Sequence, residues 1–115
     1  MHELSIALSI IDMATEEASR QQSERVAAVY LKLGPLSGVM KQALVSAFDL
    51  ACEGSPLEGT LLVIEDVPVT IWCGGCEAET AAVAFNELRC CTCGEPATRI
   101  VHGQELEVVA LELQT

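Results

Sequence analysis

The sequence predicts an α+β fold: a small mixed sheet covered by two helices, with a separate cysteine-rich lobe inserted into it. Two amphipathic helical segments, several short β-branched segments and two Cys-x-x-Cys pairs lead to this prediction. The chain has 115 residues, of which 50% are hydrophobic and 3% aromatic. Its core must therefore be small and aliphatic, and a core of this kind usually needs an additional cross-link or a bound metal.

The first lobe begins with an amphipathic helix from Leu4 to about Arg20. Apolar and small residues recur in it at intervals of three and four, the spacing of one helix face. The residues predicted on this face are Leu4, Ala7, Leu8, Ile11, Ala14 and Ala18. After a polar break, the apolar run Val26–Leu33 predicts a strand, which Gly34 and Pro35 end.

A second helix is predicted over 39–52, with Ser37 as its N-terminal cap. The residues predicted on its buried face are Val39, Ala43, Leu44, Ala47, Phe48 and Ala51. The following segment, Thr60–Val69, predicts a strand, in which Pro68 marks a sheet edge or an exit from the sheet.

The last alternating stretch, Ile100–Leu113, predicts a single final strand that returns to the first lobe. The cysteine-rich segment lies between the predicted strands and interrupts the first lobe in sequence. The first lobe is therefore predicted to comprise residues 1–69 plus 100–115, and the inserted lobe to comprise residues 70–99.

The inserted lobe contains two Cys-x-x-Cys pairs, Cys73/Cys76 and Cys90/Cys93, separated by the thirteen residues 77–89. Two such pairs can place four thiolates at the corners of a tetrahedron, the geometry of a closed structural zinc site. Four protein ligands leave no open coordination position, so the zinc would be a scaffold rather than a catalyst. A redox dithiol, or iron bound by the same thiolates, is the alternative interpretation.

Three further side chains that can bind metals are expected to have other roles. Only one residue separates Cys91 from Cys93, a spacing that suits a single knuckle poorly, so Cys91 is expected to be a spare thiol. Cys52, near the end of the second helix, is expected to be a small buried apolar residue. His102 is expected on an exposed face beside Gly103.

The strong negative charge excludes several classes of function. The chain has 17 acidic and 6 basic side chains, giving a formal net charge of -11 at pH 7. Binding to nucleic acids and anionic membranes depends on Lys and Arg, so neither is expected as a partner. No apolar run approaches the ~18 residues of a spanning helix, and the N-terminus lacks a secretory pattern. We expect a cytoplasmic protein, whose closely spaced thiols stay reduced and available for metal.

The N-terminal residues Met1, His2 and Glu3 offer a second, different metal site. A free α-amino group, the His2 amide nitrogen and the His2 imidazole can form fused chelate rings around one ion, and Glu3 can add an oxygen. Nitrogen donors of this kind suit nickel or copper in a square-planar or tetragonal arrangement. An ordinary solvated terminus is the alternative.

Several short motifs occur in a specific order along the whole chain. They are Met1–Ser5, Leu31–Gly34 with Ser37, Ser46–Asp49, Glu58-Gly59, the two cysteine pairs and Gly103-x-Glu105-Leu106. Their order and spacing, together with the total length, resemble the HypA/HybF family of nickel metallochaperones, which act in hydrogenase maturation. One position departs from the family pattern, because Cys91 stands where the family commonly has Pro.

This resemblance implies two metals, nickel as cargo and zinc as a structural ion. The implied nickel ligands are the Met1 amine, His2 and Glu3. The implied zinc ligands are Cys73, Cys76, Cys90 and Cys93. The resemblance also implies two partners, a nickel-binding GTPase of the HypB type and the large subunit of nickel-iron hydrogenase, into which nickel is inserted. Some members also serve urease, and no catalytic turnover is expected from the chain itself.

Two other classes of function remain open from the residues alone. A zinc-ribbon interaction module would bind a basic partner through its acidic surface and carry no cargo. A thiol–disulfide redox protein would use one cysteine pair and hold little metal. An enzyme has the least support, because the sequence shows no Ser/His/Asp set and no glycine-rich phosphate loop.

Overall fold

A computed structural model describes residues 3–114, and within that range it contains two helices and seven strands. In chain order these elements are α1 (Glu3–Arg20), β1 (Arg25–Leu33), α2 (Lys41–Cys52), β2 (Leu61–Asp66), β3 (Thr70–Cys73), β4 (Ala78–Ala84), β5 (Glu87–Cys90), β6 (Arg99–His102) and β7 (Leu106–Gln114). The strands form two sheets, with the orders β2-β1-β7 and β5-β4-β3-β6. The predicted α+β class is confirmed. Neither α1 nor α2 has the length and apolarity that a helix needs to cross a bilayer.

The chain divides into two compact units. The first comprises the residues up to Lys32, the segment Val39–Glu65 and the residues from Glu107 onward. The second comprises Leu33–Gly38 and Asp66–Leu106. The second unit is therefore longer at both ends than the predicted inserted lobe, and it also contains a short segment that follows β1.

The first unit contains both helices and the three-stranded sheet. Its buried residues come mainly from α1, β1 and α2 and include Ala7, Ile10, Ile11, Ala14, Ala18, Val26, Ala28, Val29, Leu31, Leu44, Phe48 and Cys52. The predicted face of α1 is partly wrong, because Leu4 and Leu8 are 49% and 48% exposed and Ile10 is buried instead. At 3.6 residues per turn, the buried side is centred on Ala7, Ala14 and Ala18, which leaves Leu4 and Leu8 at its margin.

The second helix begins two residues later than predicted, and Ser37 does not cap it. Its N-cap residue is Met40, which makes no side-chain cap hydrogen bond. The Met40 backbone N–H instead donates to Oε2 of Glu3, at 3.3 Å. Gly38, with φ of 82°, turns the chain between Ser37 and the helix. A carboxylate from α1 thus contacts the start of α2, at the N–H of its N-cap residue.

Two backbone segments of the second unit cross closely. The Gly34 N–H donates to the Glu105 carbonyl oxygen at 2.8 Å, and the Leu36 N–H donates to the Gly103 carbonyl oxygen at 2.8 Å. A Cβ on Gly34 would lie 2.1 Å from the Gly103 oxygen, so only glycine fits there. Gly103 itself has φ of 124°, which favours glycine. The turn at Gly103 corrects the prediction of one final strand over Ile100–Leu113, because it separates β6 from β7 and places them in different sheets.

Replacing Gly34 by Ala is expected to destabilise the protein by about 1–3 kcal/mol, the usual cost of overpacking. The new Cβ would overlap the Gly103 carbonyl, and a backbone segment would have to move. Urea denaturation followed by circular dichroism measures the change in the free energy of unfolding. Gly74→Ala is the matched control, since its Cβ would meet Thr98 Oγ1 at an ordinary 3.5 Å. Equal stability of the two variants would contradict the close crossing.

Candidate metal sites

The four-stranded sheet brings the two cysteine pairs to one place. Cys73 is the last residue of β3 and Cys90 the last residue of β5, and β4 lies between these two strands. Ala82 on β4 is the pairing partner of Cys90. Cys76 and Cys93 each follow their strand by three residues, in tight turns. Two strand ends with similar turns therefore converge, as the Cys-x-x-Cys spacing predicted.

The four sulfur atoms have the spacing of a four-coordinate metal site. All four Sγ atoms lie within 4.8 Å of one another. The Sγ atoms of Cys73 and Cys93 are 3.4 Å apart, and those of Cys76 and Cys90 are 3.9 Å apart. Tetrahedral ligands at about 2.3 Å from a zinc ion are about 3.8 Å from one another. The side chains present therefore fit a zinc ion, and we call Cys73, Cys76, Cys90 and Cys93 the thiolate cage.

The thiolate cage is unevenly exposed. Cys73 and Cys90 are buried, Cys76 is half-buried and Cys93 is exposed. Cys91 is exposed and lies outside the cage, and Cys52 is buried in α2 at 5% exposure. Burial raises the pKa of the Cys52 thiol, which keeps it neutral. These two cysteines therefore have the surroundings of a spare thiol and of a small apolar residue.

Hydrogen-bond donors surround the sulfurs of the thiolate cage. The Cys76 N–H donates to Cys73 Sγ at 3.4 Å, and the Thr92 N–H donates to Cys90 Sγ at 3.4 Å. The Thr80 hydroxyl donates to Cys90 Sγ at 3.3 Å. Sequence reasoning missed Thr80, which lies outside the Cys-x-x-Cys motifs. The side chains of β4 alternate between the two faces of the sheet, and the register of β4 against β5 would then identify Thr80 as a neighbour of Cys90. The sequence does not give that register.

The close approach of the four sulfurs controls their protonation. Hydrogen bonding by Thr80 lowers the pKa of Cys90 to about 5. The neighbouring sulfurs, Cys93 first, raise the pKa of Cys76 to about 12. Four negative charges at this spacing cannot coexist unless a cation offsets them. A metal ion that replaces the protons would offset these negative charges, so the four sulfurs together have the chemistry of a metal site.

The predicted cargo ligands lie at the start of the chain. Met1 and His2 are outside the residues that the structure describes. Glu3 is the first residue of α1 and is half-buried, and its Oε2 accepts the Met40 N–H described above. Sequence reasoning considered Glu3 only as an oxygen ligand and missed this contact, which joins residues 37 positions apart.

His102 lies on an exposed surface beside Gly103, as predicted. Its Nδ1 is 3.0 Å from Glu105 Oε2, and its Nε2 is 3.8 Å from Glu79 Oε2. The hydrogen bond with His102 lowers the pKa of the Glu105 carboxyl. The Gly103 N–H also donates to Glu105, at 2.7 Å. His102 therefore belongs to a polar network around the turn between β6 and β7.

The fold and the thiolate cage together define a small metal-binding protein with a closed four-cysteine site, and comparison with known proteins gives its family. The family profile described as "Hydrogenase/urease nickel incorporation, metallochaperone, hypA" matches residues 1–113. Hydrogenase maturation factor HypA from Chloroflexus aggregans is 46% identical over 112 residues, covering 97% of this chain and 98% of the relative. Hydrogenase maturation factor HypA from a Roseiflexus species is 46% identical over 114 residues, covering 99% of this chain and 93% of the relative. The chain belongs to the HypA family of nickel metallochaperones.

Solved structures of the family share this fold. The solution structure of the Ni metallochaperone HypA from Helicobacter pylori matches with a TM-score of 0.67 and 29% identity, covering 99% of this chain and 98% of that one. A further solution structure, of HypA protein, matches with a TM-score of 0.70 and 28% identity. The match covers 98% of this chain and 96% of that one. The family predicted from the order of the motifs is confirmed.

The affinity of the thiolate cage for Zn²⁺ is expected to fall as the pH falls. Since the pKa of Cys76 is raised to about 12 without metal, its proton is still bound near neutral pH and must leave when zinc binds. Each proton released changes the affinity about tenfold per pH unit. Competition with a chromophoric chelator between about pH 6 and pH 8 measures this dependence. An affinity that stays constant over that range would contradict the shared protonation of the sulfurs.

Proposed function

We propose that this chain binds Ni(II) at its N-terminus and helps to insert it into the large subunit of nickel-iron hydrogenase during maturation, with urease as a second recipient. The observation that carries the proposal is the family match over residues 1–113, which includes the terminus as well as the cysteine pairs. The proposed nickel ligands are the Met1 amine, His2 and Glu3. The first unit is accordingly the nickel-binding lobe.

We further propose that the thiolate cage holds structural zinc, which makes the second unit the zinc-binding lobe. The spacing of the sulfurs supports zinc, as does the composition of the core around them. The buried cluster of this unit consists of Val69, Ile71, Cys73 and Cys90, so two of its four members are cage cysteines. The partly buried hydrophobic residues packed against it are Leu36, Cys76, Ala82, Leu88 and Ala97. An apolar core this small gives little stability alone, and a bound metal supplies the rest.

The two metals need different sites because they have different roles. A closed set of four thiolates holds zinc tightly and leaves no coordination position for a substrate, so we propose no catalytic turnover. A cargo ion must be accessible and must leave, which a chain terminus permits. Imidazole and amine ligands bind only after losing protons, with reference pKa values of about 6.5 and about 8, so acidification favours nickel release.

The proposed partners are a nickel-binding GTPase of the HypB type and the hydrogenase large subunit. The support for both is membership of a family whose named relatives are hydrogenase maturation factors. The proposed location is the cytoplasm, where thiols stay reduced. All six cysteines are free thiols, the form that a thiolate cage requires.

Native mass spectrometry of untagged protein titrated with Ni(II) tests the cargo site. We expect wild-type protein to retain one zinc and bind one nickel, and His2→Ala to retain zinc but lose nickel. His102→Ala is the matched control, because His102 is the other histidine of the chain and is hydrogen bonded to Glu105. Nickel bound equally by His2→Ala and wild-type protein would contradict the terminal site and favour a zinc-ribbon interaction module.

A Glu3→Gln variant in the same titration separates the two roles of Glu3. Its amide oxygen can still accept the Met40 N–H, but it is a poorer ligand than a carboxylate. Weaker nickel binding with unchanged helix content would identify Glu3 as a ligand. Unchanged nickel binding in Glu3→Gln, with a loss in Glu3→Ala, would show that Glu3 acts by joining α1 to α2.

A further inference from the structure

One side chain at the thiolate cage is neither a ligand nor part of the Cys-x-x-Cys motifs. Thr80 lies on β4, where it pairs with the fully buried Ile71 of β3. Two residues further along β4, Ala82 pairs with Cys90. Side chains two apart on a strand share a face, so Thr80 and Ala82 both point to the side of the sheet that holds the sulfurs. The Thr80 hydroxyl reaches Cys90 Sγ at 3.3 Å.

The direction of this hydrogen bond is fixed once a metal is bound. A ligating thiolate has no proton to donate, so the Thr80 hydroxyl must donate and Cys90 Sγ must accept. Cys90 Sγ also accepts the Thr92 N–H, so it receives both a side-chain donor and a backbone donor. Two donors withdraw negative charge from the sulfur and hold the side chain in one orientation.

We propose that Thr80 is a positioning residue of the metal site, and that it makes Cys90 the most firmly held thiolate of the cage. This proposal rests on the proposed function of the cage as a zinc site. Burial favours Cys90 over Cys93, because Cys90 is 1% exposed whereas Cys93 is exposed. Cys73 is as deeply buried, at 0% exposure, so the Thr80 hydrogen bond is what distinguishes Cys90. Loss of zinc therefore starts at the Cys93 corner, and Cys90 is the last sulfur to release the ion.

Two substitutions at Thr80 test the proposal on zinc-loaded protein. Thr80→Val removes the hydroxyl and keeps the branched shape, whereas Thr80→Ser keeps the hydroxyl. We expect Thr80→Val to raise the Kd for zinc about tenfold in chelator competition, the usual effect of losing a group that holds a ligand. Thr80→Ser is expected to stay within about twofold of wild type. Thr70→Val is the matched control, because the Thr70 hydroxyl donates to Glu79 rather than to a sulfur.

Maleimide labelling followed by peptide mass mapping gives a second readout that a general loss of stability would not reproduce. In wild-type protein exposed to chelator, Cys93 is expected to be labelled before Cys90. In Thr80→Val, labelling of Cys90 is expected to accelerate several-fold more than labelling of Cys93. Labelling of Cys90 before Cys93 in wild-type protein would overturn the proposal, and that test stands even if Thr80→Val fails to fold.

The remaining outcomes separate this proposal from the proposed function. If wild-type protein retains no zinc at all, the zinc assignment of the cage fails first. If zinc is retained and Thr80→Val behaves as Thr70→Val and wild type do, the cage stands and the role of Thr80 is overturned. If Thr80→Ser loses zinc as readily as Thr80→Val, the hydroxyl is not the group responsible, and the proposal is overturned as well.

Discussion

Electrostatic repulsion among four cysteine sulfurs is the constraint on which the second unit depends. The sulfurs lie within 4.8 Å of one another, and two of the four cysteines belong to the buried cluster of that unit. Thiols at this spacing must keep protons or exchange them for a cation. The tight turns after β3 and β5 bring the four sulfurs to one place. A metal ion bound by the four sulfurs would also stabilise a unit that has few aliphatic core residues.

The proposed function sets a different requirement for the first unit, since a cargo ion bound at its terminus must remain exchangeable. Glu3 shows how the start of α1 is connected to the rest of that unit. Its carboxylate accepts the N–H of Met40 at the start of α2, which has no side-chain cap of its own. Glu3, itself a proposed nickel ligand, therefore also contacts the start of α2.

Features that depend on neighbouring residues could be predicted from the sequence, and features that depend on distant ones could not. The cysteine pairs predicted the thiolate cage because each pair forms its own turn. The α+β class and both helices followed from local periodicity. Ser37 was the wrong cap because α2 begins later, after Met40, whose N–H donates to Glu3 of another helix. The final strand was wrong because Gly103 is needed where the chain passes within contact distance of Val69, a constraint that periodicity does not contain.

Metal exchange in a doubly labelled protein tests the central claim, that one chain holds a permanent ion and an exchangeable one. The protein is loaded with one zinc isotope and one nickel isotope, mixed with an excess of the other isotopes of both metals, and followed by native mass spectrometry. We expect nickel to exchange quickly while the zinc of the thiolate cage stays in place. Equal exchange rates for the two metals, or zinc that leaves before nickel, would contradict it.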